Sequence, residues 1–196
     1  MNWQEGLPVF GAKPQPDTER EREFFPAIGG GSVDPRLLTI HNKPRVRLER
    51  SSNLGLTANT WTSITFDATN GTSTYDTDGF FDVSTPGLVT ITTPGIYEIQ
   101  LSGVFGHAGS TADGRKELLV LKNTTTIAAG TGVARDSAYV AGALVALTRN
   151  LSDVIVLQKG DKLYPYAWSD TNENLVNNDT NPWAASFRVT YQGTTP

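Results

Sequence analysis

The segments Tyr75-Asp76-Thr77-Asp78-Gly79-Phe80-Phe81-Asp82 and Thr93-Pro94-Gly95-Ile96-Tyr97-Glu98-Ile99-Gln100-Leu101 decide the fold of this chain. In the second segment, a Pro-Gly turn is followed by a regular alternation of large apolar and polar side chains. Successive side chains of a β-strand point to opposite faces, so Tyr97, Ile99 and Leu101 would share one face and the polar residues the other. The pattern predicts a strand of an antiparallel β-sandwich, with its apolar face in the core.

Short strands separated by turn residues recur from residue 45 onward. Residues 186–192 repeat the same alternation, and residues 118–122 form a continuous apolar run. A continuous run is typical of a strand that is covered on both faces. Further strands are predicted at residues 45–49, 61–66, 88–92, 143–147, 154–158 and 163–168. About nine strands in about 150 residues, without helical amphipathicity, predict an all-β jelly-roll or Greek-key sandwich.

The first 44 residues differ from the rest because they hold six of the eleven prolines. Closely spaced prolines prevent both a long helix and a strand ladder, so this part would lack a core of its own. One short helix is predicted at residues 18–25, where Thr18 and Glu21 have capping-box spacing.

A disordered tail is one interpretation of this composition. The alternative rests on large apolar side chains that only a partner could bury, namely Trp3, Phe10, Phe24 and Phe25. We therefore expect residues 1–44 to form an extended, proline-rich anchoring arm and residues 45–196 to form the head.

Composition and charge exclude several classes of protein. The net charge is −4, whereas a nucleic-acid partner requires a basic footprint. The absence of cysteine excludes disulfides and thiolate metal sites. No apolar run approaches the roughly 20 residues of a membrane-spanning helix. No apolar segment follows Met1, so we expect no secretory signal. Because no nucleophile elbow, zinc-protease helix or phosphate-binding loop is present, we also expect a protein that is not an enzyme.

Six motifs, taken in order, resemble the complement C1q/tumour-necrosis-factor superfamily of trimeric jelly rolls. They are residues 61–67, Tyr75-Asp76 with Gly79 and Phe81, Pro94-Gly95-Ile96-Tyr97, and residues 119–123, 154–163 and 186–189. The resemblance extends over residues 46–193. It implies a C1q/TNF-like jelly-roll head that forms a homotrimer. Apolar strand faces at residues 118–121 and 154–157 would supply the surface that is buried between subunits.

The chain departs from animal members of this superfamily in two ways. No collagen Gly-x-y repeat precedes the head, and neither a signal sequence nor a membrane anchor is expected. Heads of this kind without an export signal resemble bacteriophage virion components, in which a proline-rich arm holds a trimeric head on a capsid or tail. The resemblance therefore implies a protein of the virion surface that is synthesised in the host cytoplasm.

Acidic residues provide a candidate site for a divalent cation. Asp76, Asp78 and Asp82 lie within one turn, and residues 170–174 form a second acidic, amide-rich loop. Calcium takes about six to eight oxygen ligands from such groups, and some C1q-like heads hold calcium near the trimer axis. Asp and Asn are also common turn formers, which is the alternative interpretation. No cofactor other than calcium is expected.

Aromatic side chains mark a candidate ligand surface. Tyr164, Tyr166 and Trp168 fall on one face of a predicted strand, and Trp183 follows a polar loop. If exposed, Trp168 and Trp183 would suit a host surface glycan. If buried, they would pack in the core or between subunits, because large aromatic residues dominate both.

The main hypothesis is a non-enzymatic bacteriophage structural protein, a trimeric head decoration (cement) protein held on the capsid by its N-terminal arm. The alternative is a tail-fibre or receptor-binding tip protein that mediates host attachment by recognising a host surface glycan or protein. A free bacterial lectin is a third hypothesis, and a glycan hydrolase is the last.

Overall fold

The computed structural model describes residues 43–67, 75–106, 114–128, 132–140, 146–176 and 185–194. The predicted helix at residues 18–25, the apolar side chains of the arm and Trp183 lie outside these ranges. The described residues form twelve strands and no helix. Accordingly, nothing in these ranges is a helix that could cross a membrane.

The strands are β1 (Arg45–Glu49), β2 (Leu54–Leu56), β3 (Thr62–Ser63), β4 (Tyr75–Asp76), β5 (Val89–Thr90), β6 (Gly95–Gly106), β7 (Gly114–Lys122), β8 (Gly132–Val140), β9 (Ala146–Leu157), β10 (Lys162–Ser169), β11 (Glu173–Leu175) and β12 (Ser186–Gly193).

The strands form two antiparallel sheets with a common core. In the seven-stranded sheet the order is β2-β11-β6-β12-β1-β4, and β9 also pairs with β6. In the five-stranded sheet the order is β3-β10-β7-β8, and β5 also pairs with β10. Buried residues from both sheets belong to one hydrophobic cluster. The all-β jelly-roll sandwich that the sequence predicts is confirmed.

Strand β6 is the central strand of the seven-stranded sheet. It pairs with β9 along its whole length and with β12 along its first half. Tyr97 lies opposite Ile155 of β9 and Tyr191 of β12, so these three side chains project to the same face. Inward residues of β6 are buried and outward residues are partly exposed. The predicted alternation is confirmed, because Ile99 and Leu101 are also fully buried.

Tyr97 is the largest of the fully buried side chains in the described residues. Its ring makes edge-to-face contacts with Phe80 at 6.1 Å and with Tyr191 at 5.3 Å between ring centroids. Its hydroxyl donates a hydrogen bond of 2.6 Å to the carbonyl oxygen of Thr93, in the turn that precedes β6. Burial raises the pKa of the Tyr97 phenol, with a smaller contribution from Asp78. The phenol therefore stays protonated and joins the turn to the core.

Strand β9 differs from the sequence prediction. The sequence indicated two strands, at residues 143–147 and 154–158. Residues 143–145 lie outside the described residues, and from Ala146 to Leu157 the structure has one continuous strand. Thr148, Asn150 and Ser152 occupy outward, exposed positions of that strand. A strand with one solvated face accepts polar residues at alternate positions, so its polar middle does not interrupt it.

Other strands also differ from the sequence prediction. Strands β2, β4, β8 and β11 were not predicted, and the strands predicted at residues 61–66 and 88–92 are reduced to Thr62–Ser63 and Val89–Thr90. Strand β8 and residues 61–66 lack a run of alternating large apolar residues. Pairing with β7 holds β8 in the sheet, and pairing with β10 holds β3.

The apolar run at residues 118–121 is covered on both faces within the chain, as the sequence predicts. Its inward residues belong to the main core, and its outward residues Leu119 and Leu121 form a second cluster with Tyr166. The side chains that pack against this second cluster are Trp61, Ile127 and Tyr164. This run therefore does not provide the free intersubunit surface that the sequence suggested.

Two turns, one after β7 and one between β9 and β10, meet at one buried carboxylate. Asp161 accepts hydrogen bonds from the Gln158 amide at 2.8 Å and from Nδ2 of Asn123 at 2.7 Å, and it pairs with Nζ of Lys122 at 2.8 Å. Burial alone raises the pKa of Asp161, but these three partners outweigh burial and lower the pKa below its ordinary value. The charged carboxylate therefore ties the end of β7 to the turn between β9 and β10.

Replacing Tyr97 by Ala should lower the free energy of unfolding by about 3–5 kcal/mol, because it removes a buried aromatic ring and leaves a cavity. Tyr97→Phe keeps the ring contacts and loses only the hydrogen bond to Thr93, so it should cost about 1 kcal/mol. Urea unfolding of both variants measures the difference. Equal losses would place the stabilisation in the hydroxyl and contradict the packing account.

Replacing Asp161 by Asn should destabilise the head at neutral pH and much less in acid. The folded pKa lies below the unfolded value of about 3.9, so the stabilisation is present above about pH 4 and is lost as the pH falls through the folded pKa. Unfolding curves of both proteins between neutral pH and about pH 2 measure this. A stability difference that stays constant across the range would show that the Asp161 charge contributes nothing.

Candidate functional site

The outer face of the seven-stranded sheet, which points away from the core, carries exposed apolar side chains. The described residues include four exposed large hydrophobic side chains, and two of them lie on this face. Val154 is 60% exposed and Val156 is 49% exposed. Both project from β9 beside β6, where Ile96 lies opposite Val156 and is partly exposed. Of the two apolar runs that the sequence assigned to a subunit contact, only this one is available.

Charges are unevenly distributed on the same face. Arg45, Arg47 and Arg188 lie on the paired strands β1 and β12, where Glu49 binds Arg47 at 2.7 Å. Glu98 lies on β6, beside the exposed valines. The face therefore has one half with an excess of basic groups and another half that is apolar with an acidic group.

An open groove with a volume of 380 Å³ crosses the middle of this face. At its floor, the hydroxyls of Ser102 and Ser186 are hydrogen-bonded at 2.8 Å. Its lining is mostly polar and comprises Arg47, Gln100, Leu101, Ser102, Asn150, Leu151, Ser152, Ser186 and Arg188. A partner that covered the exposed valines would also cover this groove.

The outer face of the five-stranded sheet carries a different feature, which we call the Trp–Arg cluster: Trp61, Arg115, Glu117, Arg135 and Trp168. Glu117 is 1% exposed and binds both arginines, with a hydrogen bond of 2.7 Å from Nε of Arg135 to Oε2 and an ion pair from Nε of Arg115 to Oε1. The Arg115 guanidinium lies 5.8 Å from the ring centroid of Trp168, and that of Arg135 lies 5.7 Å from Trp61. The two indole rings are 6.4 Å apart.

The acidic loop at residues 170–174 contributes to an internal ion pair. Lys116 is fully buried, and its Nζ lies 2.7 Å from Glu173 and 3.7 Å from Asp170. The same amino group donates to the hydroxyls of Ser169 and Thr171 at 2.8 Å and 2.7 Å. Removing one partner of a buried ion pair is strongly destabilising. These carboxylates therefore neutralise a core lysine that sequence reasoning did not single out.

The carboxylates of Asp76, Asp78 and Asp82 are each engaged in hydrogen bonds within the chain, those of Asp76 and Asp82 in their own turns and that of Asp78 with the turn before β6. Asp76 accepts the amides of Phe80 and Phe81 at 3.0 Å and 2.9 Å. Asp78 accepts the hydroxyls of Thr92 and Thr93, and Asp82 accepts the Ser84 amide at 2.8 Å, which lowers the pKa of Asp82. In the described ranges, no group of three His, Cys, Asp or Glu side chains is arranged to hold a metal. Calcium binding by these three residues remains a prediction.

The sequence-predicted aromatic surface is found in part. Trp168 lies in the Trp–Arg cluster and is partly exposed, whereas Trp183 and the arm residues lie outside the described residues. Sequence reasoning missed Trp61, Arg115 and Arg135 as neighbours of Trp168. The only available signal was the mixture of charged and apolar residues at the start of β7, which does not reveal what lies across the sheet.

Comparison with known proteins matches this chain to solved structures. No family model matches the chain, and no curated protein matches it. Among solved structures, the globular domain of the zebrafish complement 1qA protein matches with a TM-score of 0.53 and 17% sequence identity. The match covers 78% of this chain and 100% of that domain. At this level of identity the likeness shows the fold alone, so the chain has a C1q-like globular fold.

Proposed function

We propose that this chain is a non-enzymatic structural protein of a bacteriophage virion, and that its head forms a homotrimer through the outer face of the seven-stranded sheet. The observation that carries the proposed subunit interface is the pair of exposed valines, Val154 and Val156, on β9. Removing apolar side chains from water is the main favourable term in association. The sequence resemblance to C1q/TNF-like heads implies a trimer, so we expect three copies of the chain in the assembly.

The charge distribution of this face supports a ring of identical contacts. In a heterologous interface, two different patches of the same chain meet, and the contacts close into a ring when the rotation permits. The basic half around Arg47 and Arg188 would meet the apolar and acidic half around Glu98 and Val154 of the next subunit. Opposite charges across an interface favour the correct register over alternatives.

The open edge of β9 supports contact through the face of the sheet and not through strand addition. The amide of Val154 is hydrogen-bonded at 2.7 Å to the carboxylate of Asp153. Nζ of Lys122 lies 3.5 Å from the carbonyl oxygen of Val156. Charged side chains at a sheet edge prevent another strand from pairing there. The side chains of Val154 and Val156 can therefore contact a partner on the face of the sheet, while Asp153 and Lys122 block strand pairing at its edge.

Head decoration is the role we propose for the trimer, with the proline-rich arm of residues 1–44 holding it on the capsid. The closely spaced prolines of the arm prevent it from building a core of its own. The arm nevertheless contains Trp3, Phe10, Phe24 and Phe25. Such side chains contribute roughly 1.5–3 kcal/mol each when a partner removes them from water. The head would then be displayed on the virion surface.

Receptor recognition by a tail-fibre or tip protein is the second candidate function. The observation that favours it is the Trp–Arg cluster, which lies on the sheet opposite the proposed subunit interface. In such an arrangement the trimer would present three copies of this surface outward. Both candidates share the same trimeric head.

Replacing Val154 by Lys in the full chain should convert the trimer into monomer, because each introduced ammonium group would be buried beside the arginines of the next subunit. Val83→Lys is the matched control, since Val83 is 64% exposed but lies in the turn after Asp82, outside the seven-stranded sheet. Sedimentation equilibrium at micromolar concentration measures the mass of both variants. A wild-type monomer, or a trimer that tolerates Val154→Lys, would contradict the proposed interface.

Deleting residues 1–30 should leave a folded, trimeric head that no longer binds virus particles. The double change Phe24→Ser and Phe25→Ser should weaken attachment strongly with little change in the melting temperature of the head, because the two rings would bind the particle. Occupancy on purified particles, counted by quantitative mass spectrometry, gives the result. Wild-type occupancy of the truncated chain would place the attachment surface on the sandwich.

A further inference from the structure

We propose that the Trp–Arg cluster on the outer face of the five-stranded sheet binds a saccharide that carries a carboxylate. Trp61 and Trp168 would contact the sugar ring, and Arg115 and Arg135 would bind its acid group. The inference rests on the second candidate function, since it names the ligand class for that role. It is independent of the decoration role and of the subunit interface.

The two arginines are held in place before any ligand arrives. Glu117 is buried at the centre of the cluster and binds Nε of both Arg115 and Arg135. Nε of Arg115 also lies 3.2 Å from the hydroxyl of Ser137. A guanidinium group that is already oriented loses less conformational entropy when it forms further hydrogen bonds. Glu117 is therefore a positioning residue for two cationic groups.

The outer ends of these guanidinium groups are available to an anion. Arg115 and Arg135 are 48% and 49% exposed. Glu117 binds Nε of Arg115 and both Nε and Nη2 of Arg135, and Ser137 accepts a hydrogen bond from Nε of Arg115. In the described part of the chain, no hydrogen bond involves the other Nη groups of these two arginines. Two arginines against one carboxylate leave the cluster with a net positive charge. Arginine binds carboxylates through paired N–H groups, so an acid is the ligand group that this geometry favours.

Aromatic carbon lies beside the cationic groups. Both indole rings are partly exposed, and their centroids are 6.4 Å apart. Tyr139 lies opposite Arg115 across the β7–β8 pair and is 72% exposed, so a third ring borders the cluster. Flat aromatic surface next to a fixed cation suits a ligand with a carbon ring and an attached carboxylate. A saccharide acid, either a hexuronic acid or a sialic acid, has both.

The burial of the aliphatic side chains on this face favours a saccharide over a protein partner. Leu119, Leu121 and Tyr166 are buried. What reaches solvent is the ring of Tyr139, the arginine heads, and parts of Trp61, Trp168, Tyr164 and Ile127. A stable protein interface needs about 800 Å² from each partner and a buried apolar centre. One or two sugar rings need far less.

The test is titration of the full chain with two acidic probes, each with a neutral counterpart. Tri-galacturonic acid is compared with its methyl ester, and 3′-sialyllactose with lactose, by isothermal titration calorimetry and by tryptophan fluorescence. At least one acid should bind at least about tenfold more tightly than its neutral counterpart, which corresponds to about 1.4 kcal/mol. The acid that binds identifies the source of the carboxylate.

Variants separate the cluster from the rest of the surface. Trp168→Ala and Arg135→Gln should each weaken binding of the acid about tenfold or more. Tyr139→Ala should also weaken binding of the acid. Because Tyr139 is mostly exposed, this substitution should leave the chain folded, so a loss of binding would not come from unfolding. Lys159→Gln is the matched control, since it removes an exposed cation from the turn before β10, at the opposite end of that strand from Trp168, and should leave the affinity unchanged.

Equal affinity for acid and neutral probe, or full affinity in all three cluster variants, would overturn the inference. Saturable binding of the chain to host cells that these variants leave intact would also overturn it while the receptor function stands. Loss of cell binding in the variants, with no affinity for either acid, would assign the surface to a protein receptor and refute the saccharide. Absence of both cell and saccharide binding would remove the receptor function together with the inference.

Discussion

The packing of the two sheets against each other around Tyr97 is the interaction on which the rest of the structure depends. Tyr97 is fully buried, contacts rings from the turn before β5 and from β12, and holds the turn that precedes β6 through its hydroxyl. Each sheet buries one face in this contact, and its other face points outward. The two outer faces differ in how far the chain itself covers them, and the functional proposals follow from that difference.

The outer face of the five-stranded sheet is covered largely by its own chain. Leu119 and Leu121 lie under Trp61, Ile127 and Tyr164, and the buried carboxylate of Glu117 is neutralised by two arginines. The outer face of the seven-stranded sheet has no comparable cover among the described residues, and valines project from it into solvent. One face is thus fixed as a small polar–aromatic surface, and the other is left for a larger partner. A second and third copy of the chain provide that partner in our account.

The sequence was sufficient wherever a strand has a strict period of two. Strands β6 and β12 were predicted with their inward and outward faces, because large apolar and polar side chains alternate along residues 97–102 and 186–192. The apolar run at residues 118–121 showed that both faces are covered, but it could not show what covers them. The covering side chains come from positions 61, 127 and 164, which no local pattern connects to β7. The missed β8 has small and charged residues whose place is set by pairing with β7.

The candidate sites were harder to predict for the same reason. The Trp–Arg cluster combines residues from β7, β8, β10 and the segment before β3, so its members are neighbours only across strands. Lys116 and Glu173 likewise meet only after folding, and the loop that contains Glu173 was interpreted as a cation site because its acidic residues are close in sequence. Ionic partners that are distant in sequence leave no periodic signal. The acidic turn at Asp76 was also predicted as a candidate cation site, with an ordinary turn as the alternative, because Asp is a common turn former.

In the trimer that we propose, the outer face of the seven-stranded sheet is buried between copies of the chain, while the other outer face remains open. Because the chain contains no cysteine, a single introduced thiol reports on one position alone. Thiol-labelling rates of Val154→Cys and Tyr139→Cys in the full-length native assembly compare the two faces directly, with urea-unfolded protein as the reference. The account predicts strong protection at position 154 and rapid labelling at position 139. Equal, rapid labelling at both positions would contradict it.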